Sequence, residues 1–234
     1  MNLVCIHGNS LDSTIYDSIN VDGFQKITLN LPGHGGRELG NVKSFLDFVD
    51  VIYNDIAPLK DVVLLGSSLG GHIVHHLLNR MKPLAVITIS SPPLNLETVG
   101  KAFAPNSVGQ LLFQAEISPA EAMILGDSML SLRKDLVPRL SAMIEATEPQ
   151  ARGIIAGSLM KAEFLDEVEL LKNFAGPKIL VVPTMDGFVN KDYMKSCEYV
   201  RVVELEGNHI LSWDNSLAVN DLLGRELGKL QKRI

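Results

Sequence analysis

Cysteine is scarce in this chain of 234 residues, with Cys5 and Cys197 the only two. Two cysteines make no disulfide framework, and Cys5 lies in an apolar run that reads as a buried strand. A structural free thiol and a reducing compartment are therefore expected. Long apolar runs are also missing. No stretch approaches the roughly 18 consecutive apolar residues of a membrane span. The opening Met1-Asn2-Leu3-Val4-Cys5-Ile6 has neither the basic start nor the long apolar centre of a signal peptide. A cytoplasmic location with no membrane partner is the resulting expectation. The only basic clustering, at Lys229, Lys232 and Arg233, reads as a solvated last helical turn. With a net charge of −6, this leaves no basic patch for nucleic acid or an anionic surface.

What is present is an apolar fraction of 46% with 21% charged residues, the composition of a globular protein. The length suits a single α/β domain spanning residues 1–234. Short runs rich in Val, Ile and Leu at 3–6, 25–29, 62–65, 84–89, 178–182 and 201–205 read as strands. Their nearly continuous apolar character suits a sheet covered on both faces. Helical spacing separates them: Phe45, Val49, Ile52 and Ile56 behind the N-cap candidate Ser44, then 69–81 and 216–230. Strands alternating with helices predict an α/β fold, a mainly parallel sheet with helices on both faces. The rhythm breaks at about 93–175, which carries helical patterns (120–132 and 136–146, with boundaries at Ser118-Pro119 and Pro149) and no convincing strand. That segment reads as a helical cap insertion or an extra packing layer. It holds Phe103, Phe113, Met123, Met129, Met143, Met160 and Phe164, of which some are expected to line a pocket and the rest to pack the core.

The strongest local signal is Gly66-Ser67-Ser68-Leu69-Gly70-Gly71, directly after one strand and directly before a helix. A nucleophile on so sharp a turn needs small neighbours, and Ser68 alone has glycine at both −2 and +2. The following helix would aim its first amides at developing negative charge.

These residues resemble the α/β-hydrolase family, and further motifs fit the resemblance across essentially the whole chain. His7-Gly8-Asn9 is similar to the family's HG motif. The resemblance implies an oxyanion hole from the backbone amides of Asn9 and Leu69, with His7 structural. Leu31-Pro32-Gly33-His34-Gly35 resembles a family loop, and His34 reads as a loop residue. Asp186 follows the strand at 178–182 and matches the family's triad acid; His209 in Glu206-Gly207-Asn208-His209 resembles its catalytic-histidine loop. The order Ser68, Asp186, His209 is that of the family. Two departures stand out: Pro183 where glycine is common, and no hairpin before the first strand, so about six strands are expected. His72 and His76 have metal-capable spacing, but no intervening glutamate or third ligand is visible, so neither a metal nor a cofactor is expected.

The resemblance implies a small serine esterase acting on a carboxylic ester or thioester. Two alternatives stand beside it. One is a C–C hydrolase or lyase using the same triad, although His72 stands where such enzymes often carry arginine. The other is a non-catalytic ligand receptor on a hydrolase scaffold. Trp213, four residues after His209, is a candidate pocket wall or packing residue. Oligomeric state, acyl group and leaving group are not legible.

Overall fold

The computed structural model of the protein describes residues 1–231; Lys232 and Arg233 of the basic cluster lie outside the described residues. Six strands form one sheet: β1 (Asn2–Ile6), β2 (Gln25–Leu29), β3 (Val62–Ser67), β4 (Ala85–Ile89), β5 (Lys178–Pro183) and β6 (Arg201–Leu205). Their order is β2-β1-β3-β4-β5-β6, and every pairing is parallel. β3 and β4 are buried along their whole length, as their unbroken apolar runs require of strands covered on both faces.

The helices are α1 (Phe45–Ile56), α2 (Leu69–Leu77), α3 (Val99–Ala102), α4 (Pro119–Met129), α5 (Val137–Ala146), α6 (Pro149–Met160), α7 (Glu167–Asn173), α8 (Lys191–Lys195), α9 (Leu211–Asp214) and α10 (Ser216–Gln231). Two apolar cores lie on opposite faces of the sheet. One joins Leu3, Val63 and Ile87 to α4, α5 and α10; the other joins Val4, Leu64 and Val86 to α1, α2 and α6. Alternate residues of each strand serve alternate cores, as the two-residue period of a strand dictates.

Several boundaries have visible causes. Ser44 caps α1 in a reciprocal arrangement with Asp47, and Ser118 does the same for α4 with Glu121. α2 stops at Leu77, short of the predicted 81, because residues 78–80 bond back three residues instead of four: Leu78 to His75, Asn79 to His76, Arg80 to Leu77. α4 ends at Met129 where a helix to 132 is predicted. Asp214 Oδ1 accepts from the amides of Ser131, Leu132 and Arg133 at 2.9, 2.7 and 3.0 Å. That carboxylate takes the amides for itself and unwinds the turn.

The segment between β4 and β5 contributes to both cores, α4 and α5 on one face and α6 and α7 on the other. It is tied to loops at the carboxyl ends of the strands. Asn9 Nδ2 donates to Leu112 O at 2.8 Å, Glu148 N to Gly33 O at 2.8 Å, and Ala104 N to Phe188 O at 3.0 Å.

Candidate active site

The sheet order reverses at β1, which lies between β2 and β3. At such a switch point neighbouring loops leave in opposite directions and open a crevice at the strands' carboxyl ends. The register pairs Ile6 with Gly66, so the loop bearing Asn9 and the turn bearing Ser68 are adjacent. Ser68 has φ 53° and ψ −123°, a region that side chains other than glycine rarely occupy. The backbone on either side is packed too closely for a larger residue. A Cβ on Gly70 would overlap Ile6 O, and one on Gly66 would overlap Gly70 O. The glycines at −2 and +2 thus let α2 start against β1 and β3 with Ser68 at the bend.

Ser68, Asp186 and His209 come from three different strand ends and meet. His209 Nε2 lies 3.1 Å from Ser68 Oγ, and His209 Nδ1 lies 2.9 Å from Asp186 Oδ2. The other carboxylate oxygen of Asp186 accepts from Phe188 N at 2.8 Å. Burial pushes the Asp186 carboxyl up, but His209 and the hydrogen bonds from Ser90 and Phe188 outweigh it, and the group lies below the usual carboxylate range. Asp186 is therefore an anion held against the ring. The backbone amides of Asn9 and Leu69 find no acceptor among the described residues.

Asn9, Ser68, Leu69 and His209 line a cavity of about 260 Å³ whose walls are mostly apolar, with Asp186 buried behind His209. Phe103, Phe113 and Phe164 line it, and no methionine does. Met129 and Met143 pack the core; Met123 and Met160 are exposed. Trp213 is a packing residue outside the cavity: its Nε1 donates to Thr14 O at 3.1 Å, and Arg139 lies over its ring.

The remaining histidines divide. His7 is buried, with Nδ1 donating to Gly8 O and Nε2 accepting from Leu31 N at 3.0 Å. Burial lowers its pKa to about 4. His34 donates to Pro32 O, and burial with the neighbouring His7 lowers its pKa to about 3. Both are neutral props of the loops after β1 and β2. His76 is likewise internal, donating to His72 O and accepting from Leu165 N. Of the pair singled out by spacing, His72 lies within hydrogen-bond reach of the buried Glu167 of α7 and His76 Nδ1 lies 3.4 Å from the same carboxylate. His72 and His75 make the shorter contacts, 2.8–3.0 Å from its oxygens. Sequence reasoning missed Glu167, which stands 95 residues from His72 in the unremarkable acidic start of a helix. It also missed Ser90, at φ 55° on the end of β4, where the only signal is a pair of small residues after a strand.

A sequence profile described as the alpha/beta hydrolase family matches residues 3–222. The chain belongs to the α/β-hydrolase family. Solved structures share the fold. An N-acyl homoserine lactonase in complex with N-hexanoyl homoserine lactone superposes with TM-score 0.86 at 20% identity, covering 97% of this chain and 89% of that one. A thermophilic esterase from Thermogutta terrifontis gives 0.78 at 18% identity, over 98% and 90%. A bromoperoxidase from Bacillus anthracis gives 0.79 at 16% identity, over 95% and 90%. No curated protein matches the sequence.

Proposed function

We propose that the protein is a serine hydrolase that cleaves a carboxylic ester or thioester through an acyl-enzyme on Ser68. The observation that carries this reading is the continuous relay from Ser68 Oγ through His209 to Asp186, at 3.1 and 2.9 Å. His209 takes the Ser68 proton on Nε2 as Oγ bonds to the acyl carbon, and the carbonyl electrons move onto oxygen. That oxyanion sits between the free amides of Asn9 and Leu69, where each donor is worth roughly 3 kcal/mol in comparable sites. Collapse of the tetrahedral intermediate expels the alcohol or thiol, which takes the proton from His209. Water then attacks the acyl-enzyme, giving its proton to His209, and Ser68 is restored. Asp186 fixes the proton-bearing Nδ1 and stabilises the imidazolium without itself being protonated.

Residues 93–175 act as a cap in this scheme, because they join both cores and supply the aromatic wall of the cavity. The chain is one catalytic domain with that insertion. A cavity of about 260 Å³, near the lower end of the roughly 300–1,000 Å³ of small-molecule sites, suits a modest acyl group. The lactonase relative makes lactones, which are cyclic esters, part of the panel to test. The preformed relay favours an enzyme over a receptor.

A fluorophosphonate should attach one equivalent at Ser68, and p-nitrophenyl esters and thioesters of graded acyl length should turn over with a short-to-medium optimum. A folded sample that neither takes the label nor cleaves any ester, thioester or lactone would overturn the reading.

A further inference from the structure

The cavity that holds Ser68 and His209 is also lined by His72 and Glu167, a second carboxylate–imidazole pair that the hydrolytic steps do not use. His72 lies in the first turn of α2, the helix that Ser68 precedes, and both residues line the cavity. Glu167 is 1% exposed. Its carboxylate accepts from Leu94 N at 3.0 Å, from His75 Nδ1 at 2.8 Å, and from His72 Nδ1 at 3.0 Å. Burial pushes its carboxyl up, but His72 and His75 outweigh that and hold it well below the usual carboxylate range. An anionic Glu167 fixes the proton of both rings on Nδ1.

The two rings then differ. His75 is fully enclosed, with Nε2 against Thr88 Oγ1 at 3.4 Å. His72 is 9% exposed and borders the cavity, and its Nε2 has no partner among the described residues. With Nδ1 donating to Glu167, Nε2 is the ring nitrogen left for a partner in the mostly apolar cavity, and in the neutral tautomer it carries the lone pair. Once a substrate fills the mostly apolar cavity, Nε2 loses its access to water, and a substrate that brings a donor avoids leaving it unpaired. We propose that His72 is a specificity-determining residue that accepts a hydrogen bond from a hydroxyl or amide N–H on the acyl chain of the substrate, a few bonds from the scissile carbonyl. Glu167 is the positioning residue that sets its tautomer. This rests on the ester-hydrolase reading and narrows it from apolar acyl groups to acyl groups carrying a donor.

The test compares p-nitrophenyl esters of equal chain length whose acyl group is plain alkyl, hydroxylated at successive carbons, interrupted by an amide N–H, or oxidised to a ketone. Wild type should favour a hydroxylated or amide-bearing ester over the alkyl and ketone forms by about 10- to 100-fold in kcat/KM. The hydroxyl and amide arms separate the two donor sources. In His72→Phe the ratio of donor-bearing to alkyl kcat/KM should fall to about one, and His72→Gln, which keeps an acceptor, should restore part of it. A ratio unaffected by His72→Phe, or a wild-type preference for the ketone, would overturn the proposal. So would stoichiometric zinc held by His72, His75 and Glu167 in purified protein. Labelling of Ser68 by a fluorophosphonate separates this failure from failure of the hydrolase reading. If no ester turns over, calorimetry with methyl 3-hydroxyhexanoate and methyl hexanoate decides: selective binding of the former, lost in His72→Phe, supports the acceptor, and equal binding overturns it.

Discussion

Exchanging Ser68 for glycine should leave a more stable protein than exchanging it for alanine, the reverse of the order seen in ordinary helices and strands. Both changes remove the hydroxyl and its contact with His209 Nε2 at 3.1 Å, so that loss cancels in the comparison. What remains is the backbone. At φ 53° and ψ −123° a residue with a Cβ is strained by about 1–3 kcal/mol, and alanine retains that strain. Glycine releases it, but the unfolded chain gains freedom worth roughly 0.4–1 kcal/mol. Ser68 is only half-buried and borders the cavity, so little buried apolar area is lost with the Cβ. The balance favours glycine by about 1 kcal/mol, or roughly 2–4 °C in Tm for a chain of this size. Urea unfolding followed by the fluorescence of Trp213, the sole tryptophan and a buried one, gives the difference directly. Alanine equal to or more stable than glycine would refute the claim that the turn stores strain at Ser68.

Three further outcomes follow from the same geometry. Asp186→Asn should lower kcat by roughly 10⁴ with the fold intact, because an amide that donates to Nδ1 moves the ring proton onto Nε2, facing Ser68; a loss under tenfold in ester turnover would remove Asp186 as the acid. Stability should fall as pH drops from 6.5 towards 4. His7 and His34 stay neutral in the fold, with pKa values of about 4 and about 3, whereas the unfolded chain protonates both near pH 6.5. The unfolded state then binds more protons, at a slope of up to roughly 2–3 kcal/mol per pH unit, and a urea midpoint constant between pH 6.5 and 5 would contradict it. Gly70→Ala should destabilise by roughly 2–4 kcal/mol, since the new methyl overlaps Ile6 O and lies 2.6 Å from His7 O; normal thermal unfolding would show that α2 can draw back from β1.

Much of this architecture is local and was therefore readable from the chain. β2 and β6 fall on the predicted residues 25–29 and 201–205, and the N-cap candidate Ser44 and the boundary at Ser118-Pro119 mark true helix starts. Ser68 is singled out by the glycines around a strand-to-helix turn, and Asp186 and His209 by their resemblance to family motifs after the right strands; the structure brings the three side chains together. Where prediction and structure part, a distant side chain intervenes. Residues 130–132 have helical spacing, yet Asp214 takes three amides there from about 80 residues away. The same carboxylate accepts from Asn208 N at 2.8 Å, and Asn208 Nδ2 donates to Ser128 O at 3.0 Å. The loop of His209 is thereby fastened to the end of α4, a coupling with no sequence signature at either end.

The histidines of α2 show the same limit on a chemical question. Spacing draws attention to His72 and His76, four apart, and the missing third ligand then argues that they do no chemistry. Folding brings that third group, Glu167, into closest contact with His72 and His75, three apart, while His76 Nδ1 stays at 3.4 Å and its Nε2 accepts from Leu165 N. Helical periodicity allows either pair to share a face. The choice depends on where α7 docks, and that docking is a tertiary event governed by the core of Leu171, Val74 and Leu77. The consequence is chemical as well as structural. An isolated histidine on α2 would be free to present either nitrogen to the cavity. Glu167 removes the choice, and a wall that composition describes as merely apolar gains one acceptor of fixed direction.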